Sequence, residues 1–247
     1  MGGLRRPAWQ PLTRLPVPAR RTPVASLRGR LGQDGGTVLL EEVQRLRRRL
    51  IQSQIETTLS LVAAVEAKDA HTESHSLQVS RFAEALALEL HFSRRETEVL
   101  RNAAILHDIG KIGVPDAILA KPGPLTEAEF DRIREHPRIG AGILRSATCL
   151  RRELPLILHH HEWYDGSGYP DHLRGSQIPF SARVLQVADS IDAMLYPRPY
   201  KEAYAVDRVI GELERGRGRQ FDPTVVDSAV AWLSDRAEST VGHASGR

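Results

Sequence analysis

Between residues 37 and 69 the stretch TVLLEEVQRLRRRLIQSQIETTLSLVAAVEAKD places Leu39, Val43, Leu46 and Leu50 at spacings of 4, 3 and 4, then Ile51, Ile55, Val62 and Val65. That is the period of an amphipathic helix whose apolar stripe slips by one residue near its middle. Its first half has the spacing of a short parallel coiled coil between two protomers, and equally that of a helix packed on its own domain. Two heptads leave both open. Helical periods continue over 77–90, where Phe82, Leu86 and Leu90 share a face, and over 95–107, 127–136, 139–144, 181–196 and 206–214. No segment alternates with period two, and Gly and Pro fall mostly between these segments. The pattern predicts an all-α protein: a leader over 1–36, a linker helix over 37–58, a helical domain over 59–236 and a flexible tail over 237–247.

A chain of 247 residues with 41% hydrophobic content can build one large core or two small ones. The leader holds seven Arg and one Asp, whereas the whole chain has a net charge of only +3, so the rest is acidic on balance. Its Pro and Arg density without apolar period predicts disorder. A basic tract of this kind serves as a tether to nucleic acid or anionic lipid, or simply as a solvated extension. It carries no signal for a specific nucleic-acid partner. A single cysteine, Cys149, excludes a disulfide framework and a multi-Cys zinc site. It fits a reducing compartment, so the expected location is the cytoplasm. No apolar run reaches 18 residues, so no membrane span is expected.

The chemistry lies in the histidines. Seven of the ten fall in four places, each beside or within a helical segment and near an end or a turn: HTESHS, LHD, REHP and HHHE. His107 and Asp108 close an apolar helix just before Gly110. Neighbours on a helix point about 100° apart, so this imidazole and carboxylate can both reach one ion at the helix end. His75, His136, His160 and His161, with Asp189 and Asp192 in VADSIDAM, supply more donors than one ion can use. Several imidazoles with carboxylates and no thiolate suit iron, manganese or zinc. Two such ions joined by a carboxylate such as Asp108 would form the clamp used for in-line displacement at phosphorus.

The order HSLQV from His75, LHDIGKIGVPDAIL from Leu106, KPGPLTEAEF from Lys121, EHPRIGAGIL from Glu135, HHHEWYDGSGYP from His159, ARVLQVADSIDAM from Ala182, RPY from Arg198 and QFDP from Gln220 resembles the HD-GYP family. That family is a branch of the HD superfamily of metal-dependent phosphohydrolases. The resemblance covers roughly residues 60–235 and implies an HD-domain helical bundle with a C-terminal GYP extension. It implies hydrolysis of cyclic di-GMP to linear pGpG and onward to GMP, in bacterial second-messenger signalling. Two divalent ions, iron or manganese, would be held by His75, His107, Asp108, His136, His160, His161 and Asp189, with Asp108 bridging. Lys111 matches the lysine over the metal centre, and Arg198 and Lys201 match the phosphate-contacting pair. Asp192, one helical turn from Asp189 and on its face, is the candidate to pass a proton, with Lys111, to the leaving sugar oxygen. Glu162 and Asp165 are expected to accept hydrogen bonds that fix the ligand rings, with His159 a neighbour of the ligands. The GYP segment also implies contact with a diguanylate cyclase (GGDEF) partner, and the helix over 37–66 offers a homodimer contact.

Three departures qualify the resemblance. Position 71, where members with three ions carry Glu, is His; a third ion and a surface histidine are both open there. MLYPRPY puts Leu195, Tyr196 and Pro197 before Arg198, and Pro197 restricts Tyr196. No sensor domain fits in the 36 leader residues. Two rival readings stand beside the phosphodiesterase: an HD phosphohydrolase for another nucleotide, and a catalytically silent interaction module. Against the second, every ligand position is filled.

Overall fold

A computed structural model of the chain describes residues 33–68, 75–197 and 202–244. They are all-α, with no β-strand among them. The chain divides into two compact units, residues 1–53 and 54–247. In the first, the described residues belong to the helix α1, Gln33–Glu66. It is helical from four residues before the expected start, and Leu39, Val43, Leu46 and Leu50 are all exposed on it. In the second unit the end of α1 buries Val62 and Val65, so the two parts of the apolar stripe have different environments.

The second unit is built around α2, His75–Glu89; α3, Arg94–Leu106; and α8, Phe180–Leu195. The α2 helix packs on both α3 and α8. Small residues at the contacts (Ala83, Ala87, Ala103, Ala104, Ala182 and Ala188, all fully buried) allow these backbones close approach, while Leu86, Leu100 and Leu185 fill the space between. Each buried Leu contributes about 1.5–3 kcal/mol over leaving it in water. Nine of the sixteen residues of α8 are buried, so this helix is the central post.

Sequence sets the ends of these helices. Ser93 caps α3: its Oγ accepts from Glu96 N at 3.3 Å, and Glu96 returns a carboxylate to Ser93 N at 2.9 Å. The turn from Leu90 to Ser93 therefore folds α3 back along α2, which lays the end of α3 beside the start of α2. The same box with Thr126 and Glu129 starts α5, Glu127–Arg134. Between them lie a 3-10 turn, Ile109–Gly113, and the short α4, Asp116–Leu119. Then come α6, His136–Leu144, and α7, Leu154–His159. The bundle closes with α9, Val206–Gly216, and α10, Pro223–Ala244.

The sequence reading missed three of these helices, α4, α7 and α10. The α10 helix continues to Ala244, past the boundary expected at 236. Its signals were present: Val225, Val226, Ala229 and Leu233 bury a helical stripe, Pro223 stands at its first position, and Asp222 Oδ1 accepts from Thr224 N at 2.7 Å. Of the leader expected over 1–36, residues 1–32 lie outside the described residues and 33–36 belong to α1.

Candidate metal centre

Helix ends deliver the candidate side chains to one place. His75 opens α2, His107 follows the last residue of α3, His136 opens α6, and His160 and His161 follow α7. Asp108 begins the 3-10 turn, while Asp189 and Asp192 stand on α8. Two glycines permit the approach of the segments. A Cβ on Gly110 would lie 1.9 Å from His136 O, and one on Gly168 would lie 2.1 Å from Trp163 N. These positions admit no side chain, because backbone meets backbone.

Three of the rings are held by the same device. The Nδ1 atoms of His107, His136 and His160 face the carbonyl oxygens of Ala104, Ile133 and Ile157 at 2.7, 2.7 and 2.8 Å. A carbonyl only accepts, so Nδ1 donates and the lone pair of each neutral ring lies on Nε2. All three Nε2 atoms turn inward. His136 Nε2 and His160 Nε2 approach to 3.4 Å with no proton between them in this tautomer. His107 Nε2 is buried and has no hydrogen-bond partner. Buried lone pairs that face one another without a donor are costly unless a cation sits between them.

Two donor groups result, each with its ligand atoms within 4.8 Å of one another: Asp108, His136, His160 and His161; and His75, His107 and Asp189. Asp108 spans both. Its Oδ1 is 3.2 Å from His136 Nε2, while its Oδ2 is 3.4 Å from His107 Nε2 and 3.9 Å from His75 Nε2. Asp189 Oδ1 is 3.4 Å from His75 Nε2 and 4.0 Å from His107 Nε2. Lys111 Nζ meets Asp108 Oδ2 at 2.8 Å. The donor set, imidazole nitrogen with carboxylate oxygen, fits divalent transition metals.

Protonation follows from these surroundings. Burial, with the neighbouring His136, pushes the His161 imidazole down to about 3. Burial and His161 push His160 well below the usual range. Both rings are therefore neutral at pH 7 and carry free lone pairs. Burial would also lower His75, but hydrogen bonds to Asp189 and Asp192 outweigh it and carry its pKa up to about 10. Burial would raise the two carboxyls, yet Lys111 and His107 beside Asp108, and the His75 hydrogen bond to Asp189, hold both well below the usual carboxylate range.

Some expectations meet a different geometry. Asp192 shares a face of α8 with Asp189, but its carboxylate is buried and its Oδ2 accepts from His75 Nδ1 at 2.6 Å. It stands behind His75, on the side of the ring away from the convergent nitrogens. Glu162 and Asp165 do not orient the rings. Glu162 accepts from the amides of Asp171 at 2.6 Å and Leu173 at 3.1 Å, and Asp165 accepts from Ser167 N at 2.8 Å. Both hold the GYP loop on itself. His159, the last residue of α7, is tied to that loop: its Nε2 lies 3.0 Å from Asp171 Oδ2, while Asp171 Oδ1 pairs with Arg138. The group His159, Glu162 and Asp171 thus has its oxygens engaged by amides and an arginine. Tyr169 turns inward, its ring centroid 4.9 Å from that of His161. Arg198 and Lys201, expected at the phosphates, and His71, the position for a third ion, lie outside the described residues.

The sequence reading missed the contacts of the end of α1 with this region. Glu66 Oε1 accepts from Ser76 N at 2.9 Å, beside His75, and Lys68 Nζ donates to Ile112 O at 3.0 Å, beside Lys111. No local pattern announces either pair. Among the described residues, no helix is long and apolar enough to cross a membrane.

The chain is similar to known proteins in sequence and in fold. The chain is 44% identical over 177 residues to the cyclic di-GMP phosphodiesterase response regulator RpfG of Xanthomonas campestris pv. campestris, covering 71% of this chain and 47% of that protein. It is 39% identical over 200 residues to a cyclic di-GMP phosphodiesterase of Vibrio cholerae, covering 73% and 41%. The chain thus spans less than half the length of these curated relatives. A solved structure of a cyclic GMP-AMP specific phosphodiesterase from V. cholerae shares the fold, with a TM-score of 0.57 at 17% identity over 72% of this chain and 48% of that one. The HD domain model matches residues 50–225, well over half of the sequence and nearly all of the bundle that carries the histidines; this chain belongs to the HD domain family.

Proposed function

We propose that the chain is a metal-dependent phosphodiesterase that hydrolyses cyclic di-GMP to pGpG and onward to GMP. One observation carries the reading: inward-facing, donor-free Nε2 atoms surround a carboxylate, Asp108, whose two oxygens face two ligand groups. The two named cyclic di-GMP phosphodiesterases among the relatives support the choice of substrate.

Two divalent cations, iron or manganese, would be held by His75, His107 and Asp189 on one side and by His136, His160 and His161 on the other, with Asp108 between. They would neutralise phosphodiester oxygens and bring the pKa of a water toward neutrality. His160 and His161, kept neutral by burial, offer lone pairs without losing protons. Lys111, held at Asp108, is the remaining group here to protonate the leaving oxygen, since Asp192 is turned away. Arg198 and Lys201 are assigned to the phosphates, the first as a fork and the second as a point charge. A homodimer through the exposed stripe of α1, a GGDEF partner meeting the GYP loop and a cytoplasmic location complete the proposal.

The protein is purified without oxygen in the presence of iron or manganese and given cyclic di-GMP or cyclic GMP-AMP, with the His107→Ala/Asp108→Ala variant alongside. The expected result is metal-dependent pGpG or GMP from cyclic di-GMP, lost in the variant. Full metal occupancy without turnover of cyclic di-GMP overturns the reading. Turnover of cyclic GMP-AMP alone moves the substrate to the mixed dinucleotide.

A further inference from the structure

The ligand rings do not share one kind of support. His107, His136 and His160 lean on peptide carbonyls, whereas His75 leans on a carboxylate, Asp192, at 2.6 Å. A carboxylate behind an imidazole makes its other nitrogen the stronger donor and locks the ring so that this nitrogen points at the metal. The other oxygen of Asp192, Oδ1, is buried with no hydrogen-bond partner. Among the described residues the one hydrogen-bond partner of this carboxylate is therefore His75.

Formal charge is just as uneven. Asp189, and Asp108 through Oδ2, face His75 and His107, with Asp192 behind them. At the other end three imidazoles, His136, His160 and His161, share the one carboxylate Asp108, whose Oδ1 is 3.2 Å from His136 Nε2, and Asp189 acts on His161 through its charge without joining their ligand group. Neutral imidazoles bring lone pairs but no charge, and a divalent cation gains most where carboxylates gather.

We propose that Asp192 is a positioning residue that makes the two ends unequal: the His75–His107–Asp189 end takes up its divalent cation first, and the His136–His160–His161 end fills second and more weakly. The inference rests on the metal-binding reading above. It implies that the response of the protein to metal supply is set by the end that lacks a backing carboxylate.

The full chain, stripped of metal, is titrated with Mn2+ at pH 8 while free Mn2+ is read by electron paramagnetic resonance. Wild type is expected to show two classes of site separated by about tenfold or more. Asp192→Asn weakens the tight class by about 10–100-fold and leaves the weak class in place. His161→Ala abolishes the weak class and spares the tight one. Two equal sites, or an Asp192→Asn loss that falls on both classes or on the class removed by His161→Ala, overturn the proposal. A wild type that binds no Mn2+ at all defeats instead the metal reading beneath it. A measurement on wild type alone guards against a variant that fails to fold. With Zn2+ followed by long-range 1H–15N spectra, the His75 and His107 ring signals shift with the first equivalent and those of His160 and His161 with the second. The reverse order overturns the proposal.

Discussion

Gly110→Ala tests whether close backbone contact, rather than the ligands alone, assembles the site. Gly110 lies in the 3-10 turn two residues after Asp108 and faces the start of α6, where His136 stands. A Cβ there would meet His136 O at 1.9 Å, Gly140 N at 2.5 Å and His136 C at 2.8 Å. All three are main-chain atoms, so no rotamer change relieves them. Restoring the 3.0 Å that real Cβ contacts respect requires the turn and α6 to separate by about 1 Å. Asp108 Oδ1 and His136 Nε2, now 3.2 Å apart, would then move apart as well, which loosens the grip that the pair offers to one ion. Overpacking of this kind costs about 1–3 kcal/mol, which for a protein of this size lowers Tm by roughly 2–12 °C. The assay is thermal unfolding of the metal-free protein by circular dichroism, with a count of bound Mn2+. The expected variant melts lower and loses the ion held by His136, His160 and His161. An unchanged Tm with both ions retained would refute the reasoning, since it would mean that the turn and α6 can part without disturbing Asp108 and His136.

Two further outcomes follow from the same geometry. Glu162→Gln replaces a buried carboxylate that accepts from two part-buried amides with a group that accepts at one oxygen only, leaving Asp171 N or Leu173 N unpaired. The expected cost is about 1–3 kcal/mol, read as a lower urea midpoint; a midpoint equal to wild type would show that the GYP loop is held elsewhere. In the metal-free protein, His161 titrates at about 3, below its unfolded value of 6.5, so the unfolded chain binds a proton that the folded chain refuses. Stability from this ring is full above about pH 6.5 and is lost as pH falls toward 3, by about 3 kcal/mol at pH 4. His75, raised to about 10, acts oppositely: its contribution is present below about 6.5 and fades as pH rises through 10. Urea unfolding from pH 4 to 10 should therefore peak near neutrality, and a flat profile between 4 and 6.5 would contradict the burial of His161.

What the sequence could reveal followed from periodicity and residue type. Phe82, Leu86 and Leu90 announced α2, and the histidines beside helix ends announced a metal site, because those patterns are local. The missed α7 is only six residues long, too short for a period to declare itself. The orientation of each polar atom was not legible at all. Asp189 and Asp192 lie one turn apart on α8, about 5 Å along the axis. That single rise separates a carboxylate in front of His75 Nε2 from one behind its Nδ1. A face shared on a helix therefore places two acids on the same side of the bundle without giving them the same role. Glu162 carries the same lesson, since its neighbours His160 and His161 turn into the cluster while its own carboxylate turns to the amides of Asp171 and Leu173. Adjacent residues diverge by about 100° at a helix end, so adjacency to a ligand is no evidence of contact with it. The acceptor that decides a ring's tautomer lies three residues back along the backbone for His107, His136 and His160, and 117 residues away for His75. The first kind of support comes with any helix end; the second exists only once α2 and α8 have packed, which is why the asymmetry of the cluster belongs to the fold rather than to any motif.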